Sequence, residues 1–175
     1  MESRERTCCF FGHRKVDITD ELVCHIKGIV EELITENNVD TFLFGSKSQF
    51  DSLCLDVVTS LKVKYSHIRR VYVRAEFPHI DEDYTTYLLE WYDDTYYPDR
   101  MIAAGKAAYV ERNYELINNS SYCIIYYDEN YMPNRRKNSR RGLFDYQPKS
   151  GTKVAYDYAV KKKRTIINTL YIGDK

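Results

Sequence analysis

The sequence lacks the glycine-rich signatures that identify the common nucleotide-binding folds. It contains neither a Gly-x-Gly-x-x-Gly run after its first apolar segment nor a Gly-x-x-x-x-Gly-Lys-Ser/Thr phosphate loop. Only 7 of its 175 residues are glycine. These absences argue against a conventional dinucleotide dehydrogenase and against a P-loop nucleotidase.

Metal-ligand spacing and membrane-spanning runs are absent as well. No Cys-x-x-Cys pair occurs, and the four histidines have no ligand spacing with acids or cysteines, so we expect no metal. No apolar run approaches the ~20 residues of a membrane span, so we expect a cytoplasmic protein without membrane contact. We interpret the five cysteines as reduced core residues, with a redox role for the adjacent pair Cys8 and Cys9 as the less favoured alternative.

The chain also lacks an excess of charge of either sign. Its 26 basic and 26 acidic residues give a formal net charge of zero, so no global field draws it to a polyanion. This balance argues against a nucleic-acid partner, and any anion site must be local. A length of 175 residues with 43% hydrophobic residues predicts a single domain over 1–175.

Apolar runs alternate with amphipathic segments along the chain. This pattern predicts an α/β fold, a Rossmann-like three-layer sandwich with a mainly parallel sheet flanked by helices. The predicted strands are 7–11, 41–44, 70–73, 122–127 and 165–168. The predicted helices are 17–36, 49–64, 105–119 and 151–163, and the irregular stretch 75–101 is expected to hold a short helix around 81–91. A long polar loop at about 128–149 carries the basic run 134–141, which is either functional or a solvated surface loop.

Three turns follow predicted strands and lead into helices: Gly12-His13-Arg14, Gly45-Ser46-Lys47 and Ser150-Gly151-Thr152. In an open parallel sheet, ligands bind beyond the carboxyl ends of the strands, where helix N-termini present unpaired amides. Each turn combines a glycine with polar donors, and Arg14 and Lys47 add full positive charges. The sequence therefore predicts a local pocket for a phosphate-bearing ligand at this edge.

Four elements together resemble the SLOG superfamily, which joins the Smf/DprA proteins, the LOG-type phosphoribohydrolases and the bacterial YpsA-like proteins. They are the run Cys8 to Arg14, the strand ending at Gly45 with Phe50-Asp51 behind it, the helical pair Arg112-Asn113, and the helix start Ser150-Gly151-Thr152. The match is to the YpsA-like branch. The resemblance implies a Rossmann-like, often dimeric protein of bacterial or phage type. It also implies a nucleotide pocket, with candidates Gly12, Arg14, Gly45, Ser46, Asp51, Arg112, Asn113, Gly151 and Thr152.

The chain departs from the family pattern at three positions. Ser46 replaces a glycine, Gln49 replaces the glycine before Phe-Asp, and Ala155 stands where the LOG branch has an acid. A carboxylate is the natural group to stabilise the charge that develops on a ribose when its base departs. Its absence at Ala155 argues against that hydrolysis. The side chains of Arg112 and Asn113 could alternatively be a polar pair on a helix surface.

We therefore expect a module that binds or senses a nucleotide-derived phosphate ligand, without a certain cofactor. The first alternative is an N-glycosidic hydrolase, with Asp51 or Glu111 as weak candidates for the acid and with Arg14 and Arg112 holding phosphate. The second is a single-stranded nucleic-acid binder, as a Smf/DprA relationship suggests. In that case the basic loop contacts phosphates and some of the 17 tyrosines stack on bases.

Overall fold

A computed structural model of the chain describes residues 4–103, 105–131 and 150–171. Its strands are β1 (Thr7–Gly12), β2 (Thr41–Phe44), β3 (Arg69–Val73), β4 (Asp94–Tyr96), β5 (Tyr122–Tyr126) and β6 (Thr165–Asn168). They form one sheet in the order β4-β3-β2-β1-β5-β6, and every pair of neighbours in it is parallel. The helices are α1 (Asp20–Glu36), α2 (Gln49–Lys62), α3 (Glu82–Leu89), α4 (Lys106–Asn118) and α5 (Gly151–Lys161). The predicted Rossmann-like three-layer fold is confirmed.

The sheet separates two hydrophobic clusters. The buried faces of α1, α2 and α3 pack with Phe10, Phe42 and Phe44 on one side. The buried faces of α4 and α5 pack with Phe11 and Leu43 on the other. Successive residues of a strand point to opposite faces, so strands buried on both faces are continuous apolar runs, as the sequence has them.

Because of this alternation, the adjacent residues Cys8 and Cys9 lie on opposite faces of the sheet. Cys8 belongs to the first cluster and Cys9 to the second, where the Cys9 Sγ lies 3.5 Å from the Sγ of Cys123 on β5. All five cysteines are free thiols, and burial raises the pKa of Cys8. Four of them are buried as expected, but Cys24 is exposed on α1, so its placement in the core was wrong.

The structure differs from the predicted elements mainly between residues 75 and 101. The short helix is present as α3, but the edge strand β4 was not predicted. The helix α1 begins at Asp20, three residues later than expected. The Oγ1 of Thr19 accepts a hydrogen bond from the amide of Leu22 and so caps the helix at this point.

Residues 132–149, which include the basic run 134–141, lie outside the described residues. None of the helices in the described ranges has the length and apolar character that a membrane crossing requires.

Gly12 is needed for packing. A Cβ at this position would lie 2.6 Å from the Cδ1 of Phe50, a ring that is fully buried at the start of α2. We expect Gly12→Ala to lower the free energy of unfolding by about 1–3 kcal/mol, the usual cost of overpacking a core. The matched control is Gly28→Ala in α1, where a Cβ meets nothing within 4 Å. This variant should gain about 0.5–1 kcal/mol from helix propensity. Urea unfolding measures both, and equal effects would contradict this account.

Candidate functional site at the carboxyl edge of the sheet

The topology brings the three predicted turns to one edge of the sheet. β1 lies between β2 and β5, and Gly12 pairs with Tyr126 at the ends of β1 and β5. The chain leaves β2 directly into Gly45, and α5 starts at Gly151 on the return from β5. The strand order reverses between β1 and β5, which is the switch point where open α/β sheets bind ligands.

Asp51 occupies the centre of the turn after β2. Its side chain is only 2% exposed, and its Oδ2 accepts hydrogen bonds from the amides of Gly45 at 3.4 Å and Ser46 at 3.0 Å. The carboxylate can reach back in this way because the Oγ of Ser48, and not Asp51, caps α2. Two of the amides that we expected to bind an anion therefore donate to a carboxylate of the protein itself.

Arg112 crosses the same turn from the opposite layer. Its side chain comes from α4 and is 4% exposed, so the interpretation of Arg112 as a helix-surface residue was wrong. It lies directly against Gly45, where a Cβ would be 2.6 Å from the Arg112 Cδ and 2.8 Å from its Nη1. Gly45 is thus required for the passage of a guanidinium across the end of β2.

The guanidinium of Arg112 is only partly satisfied by the protein. Its Nε donates to the Oδ1 of Asn113 at 3.0 Å, and no hydrogen bond of either terminal nitrogen is found among the described residues. Burial lowers the pKa of Arg112, and the charge of Asp51 opposes that shift. Arg112 therefore brings a positive charge to the edge, and the charge of Asp51 favours its ionised form.

Burial also controls the ionisation of Asp51. Desolvation raises the pKa of Asp51 from 3.8 to about 7, against the opposing effects of the Arg112 charge and the Ser46 and Gly45 amides. Its Oδ1 has no hydrogen-bond partner among the described residues. A buried polar oxygen without a partner is costly, so this atom is available to a donor that enters the site.

His13 joins the ends of β1 and β5. It is 3% exposed, and its Nε2 accepts a hydrogen bond of 2.9 Å from the amide of Asp128. Its ring stacks on Tyr131 with centroids 4.0 Å apart. Burial lowers the pKa of His13. An acceptor Nε2 requires the proton on Nδ1, which is buried without a partner in the described part of the chain.

The two residues that replace glycines of the family pattern, Ser46 and Gln49, have structural roles. The side-chain Oε1 of Gln49 accepts a hydrogen bond of 3.0 Å from the backbone amide of Val16. The backbone amide of Gln49 donates to the carbonyl of Arg14. The Ser46 Oγ accepts from the amide of Ser48. The two Gln49 bonds connect the first turn to the second, and the Ser46 bond lies within the second turn.

The third turn has more open space. Ser150 caps α5 by accepting from the Lys153 amide, and a Cβ at Gly151 would meet no atom of the described residues within 4 Å. Thr152 and Ala155 are buried, and Ala155 packs in the second cluster. Glu111, a weak candidate for the catalytic acid, is engaged in a structural contact. Its Oε2 accepts hydrogen bonds from the amides of Ile102 and Ala103 and so holds the segment before α4.

Exposed groups at this edge include cations, aromatic rings and the acids Asp17, Glu76 and Glu129. Arg14, Lys15 and Lys47 are exposed directly after β1 and β2. Arg74 and the exposed Phe77 after β3 were not predicted as site residues, because they fall in the stretch predicted to be irregular.

A groove of about 330 Å³ beside the end of β5 is lined by Tyr127, Glu129, Tyr156, Ile166, Asn168 and Tyr171. The described residues contain no group of three or more His, Cys, Asp or Glu side chains that could hold a metal.

No protein-family model and no curated protein matches the chain. Among solved structures, it is similar to DNA processing protein A from Helicobacter pylori, a protein studied for its single-stranded DNA binding mode. The two share a TM-score of 0.54 at 15% sequence identity, over 93% of this chain and 64% of that one. The chain thus spans less than two thirds of the length of that structure. This similarity shows a Smf/DprA-like fold, and it does not support the YpsA-like branch in particular.

The comparison corrects the expectation that nucleic acid is not a partner. That expectation rested on zero net charge, yet a protein with this fold binds single-stranded DNA. Net charge averages over the whole surface, whereas Arg14, Lys15 and Lys47 are exposed together at one edge. A local cluster of cations is sufficient for phosphate contacts, so a neutral chain is not excluded from binding a polyanion.

The raised pKa of Asp51 predicts a pH-dependent stability. The folded state keeps this proton up to about pH 7, whereas the unfolded chain releases it near pH 3.8. The contribution of Asp51 is therefore fully favourable below pH 3.8 and is lost as the pH rises to about 7. The full loss is on the order of 4 kcal/mol.

Asp51→Asn should remove this slope, because asparagine does not ionise. Its amide oxygen can still accept hydrogen bonds from Gly45 and Ser46, so the turn is kept. Its free energy of unfolding should rise relative to wild type between pH 4 and pH 7.5, as measured by urea titrations at each pH. Asp56→Asn, an exposed position on the same helix, is the matched control and should keep the wild-type slope. Parallel pH profiles for Asp51→Asn and wild type would contradict the raised pKa.

Proposed function

We propose that the carboxyl edge of this sheet binds single-stranded DNA. The observation that supports it most strongly is the group of cations at this edge, in which the exposed Arg14 and Lys47 accompany Arg112 with its two unpartnered terminal nitrogens. The fold that the chain shares with a single-stranded DNA-binding protein supports the same proposal. Arginine and lysine contacts to phosphate supply most of the affinity of sequence-independent binding.

The geometry of the turns favours a polymer over a single phosphate held by main-chain amides. The amides of Gly45 and Ser46 donate to Asp51, and the amide of His13 donates to the carbonyl of Tyr126. Recognition therefore passes to side chains. Arg14 and Lys47 follow neighbouring strands, so their charges can meet successive phosphates of one strand.

Exposed aromatic rings complete this proposal. Tyr131 is 37% exposed and stacks on the buried His13, which holds it at the switch point. Rings held rigidly in this way lose little entropy when a base stacks on them, and such stacking tolerates every base.

Three further proposals rest on the sequence. They are membership of the YpsA-like branch, a homodimeric state and a single domain over 1–175.

The double variant Arg14→Ala/Lys47→Ala tests the phosphate contacts. Affinity for a fluorescent oligonucleotide, measured by anisotropy over a salt series, should fall to a similar degree for all base sequences. The slope of log K against log salt should decrease in magnitude by about 1.4, or ~0.7 for each phosphate contact removed. Lys27→Ala/Lys161→Ala removes the same charge from exposed helix positions and should keep the wild-type slope. Salt-independent binding, or equal slopes for the two variants, would sink the proposal.

A nucleotide-derived small molecule is the second candidate ligand. It is favoured by the buried, unpartnered atoms at the edge, which are Oδ1 of Asp51 and Nδ1 of His13. These atoms can exchange hydrogen bonds with the polar groups of a nucleotide, while Arg112 holds its phosphate. We do not propose hydrolysis, because Ala155 lies in the core where the LOG branch has its acid.

Thermal-shift assays with nucleoside monophosphates, ADP-ribose and inorganic phosphate test this second candidate. A ligand at 100 times its Kd should stabilise the wild type by about 2.7 kcal/mol. Arg112→Lys keeps the charge but loses the planar fork, so it should lose most of that stabilisation. No shift with any nucleotide at millimolar concentration refutes this candidate. A shift with phosphate alone, equal to that with nucleotides, would show that the base is not recognised.

A further inference from the structure

Phe77 has a backbone conformation that its residue type disfavours. Its φ is 57°, and its side chain is 62% exposed in the loop that follows β3. A bulky residue in the left-handed region is strained. Because an exposed phenylalanine recovers little of that energy by burial, its presence here needs another explanation.

The other left-handed, non-glycine residues in the described ranges have a simple structural explanation. Asn38 and Lys163 have φ values of 55°, and each stands two residues after the end of a helix. A left-handed residue just beyond the last turn is the common way to end a helix. Phe77 follows a strand, so helix termination does not account for it.

Arg74 fixes the strained loop. Its Nη1 donates to the carbonyl of Phe77 at 2.8 Å and to the carbonyl of Pro78 at 3.4 Å. The amide of Arg74 donates to the Tyr96 carbonyl at 2.9 Å, and its guanidinium lies 6.0 Å from the Tyr97 ring centre. Pro78 restricts the backbone on the other side of Phe77. The aromatic ring is therefore presented to solvent on a loop that is already ordered.

The position of the loop connects it to the site. β3 is the parallel neighbour of β2, with Tyr72 paired to Phe44, so both strands end at the same edge. The residue before Phe77, Glu76, lies close enough to Arg112 to act on its charge. Phe77 thus stands at the carboxyl edge, one residue after an acid whose charge acts on Arg112.

We infer that Phe77 is a preformed stacking residue for a nucleobase of single-stranded DNA, held in place by Arg74. This inference rests on the proposed function and names one of its contacts. A flat ring at the end of a rigid loop accepts any base, since every base has a π-face. The arginine beneath the loop adds a positive charge near the phosphate of the stacked nucleotide.

The test compares Phe77→Ala, Phe77→Leu and Phe77→Tyr in anisotropy titrations with oligonucleotides. Loss of one stacked base should weaken binding about 5- to 150-fold in Phe77→Ala. Phe77→Leu should lose nearly as much, because it is apolar but has no π-face, and Phe77→Tyr should bind like wild type. The slope of log K against log salt should not change, since no phosphate contact is removed.

Oligonucleotides with a single abasic site, moved along the strand, provide the matched ligand change. At the position that stacks on Phe77, the abasic site should cost the wild type the same factor and should cost Phe77→Ala almost nothing. Additive effects at every position would overturn the inference. If wild type fails to bind any oligonucleotide, the proposed function fails as well. If wild type binds and Phe77→Ala binds equally well, only the stacking role is lost.

The strain provides an independent measurement. Phe77→Gly removes the conformational penalty, so its melting temperature should rise by roughly 2–4 °C while its DNA affinity falls. Opposite changes in stability and affinity distinguish a strained binding residue from one that holds the fold. A lowered melting temperature in Phe77→Gly would show that the ring stabilises the loop and would overturn the inference.

Discussion

A buried guanidinium laid across a glycine organises the carboxyl edge of the sheet. Arg112 reaches from α4 over Gly45 towards Asp51 on α2, and so it links the two helical layers around the end of β2. Burying either charge alone would be expensive, and each reduces the cost of the other. A side chain at Gly45 would displace Arg112, and loss of Arg112 would leave Asp51 as an uncompensated buried acid.

This arrangement changes which groups at the edge are left for a ligand. The Asp51 carboxylate takes the amides of Gly45 and Ser46, and a side chain of the protein therefore occupies the position of the bound anion in a phosphate-binding turn. His13 takes the amide of Asp128 at the neighbouring strand end. What remains accessible is a set of side chains from successive turns. Such a surface suits a chain of phosphates better than a single phosphate that needs a closed ring of amides.

The sequence was sufficient for the fold because its signals are local. Apolar runs of four to six residues identified five of the six strands, and helical periodicity identified four of the five helices in the described ranges. The fifth, α3, was expected within an irregular stretch. The missing strand, β4, has three residues and lies at the edge, too short for any period to be visible. The site was harder to predict. The resemblance selected Arg112 and Asp51, but their contact depends on Gly45, which is distant from Arg112 in sequence and adjacent to it only after the helices cross the sheet.

The three turn glycines show why glycine after a strand is weak evidence for a ligand. All three were expected to let the backbone approach an anion, yet the space beside Gly12 is filled by Phe50 and the space beside Gly45 by Arg112. The missing Cβ serves core packing in the first case and a buried charge in the second. At Gly151 none of the described atoms lies within 4 Å of a Cβ, and the residue is exposed at the first turn of α5. Even there, the amide of Lys153 donates to the Oγ of Ser150, so a glycine in the turn does not by itself leave a main-chain donor free for a ligand.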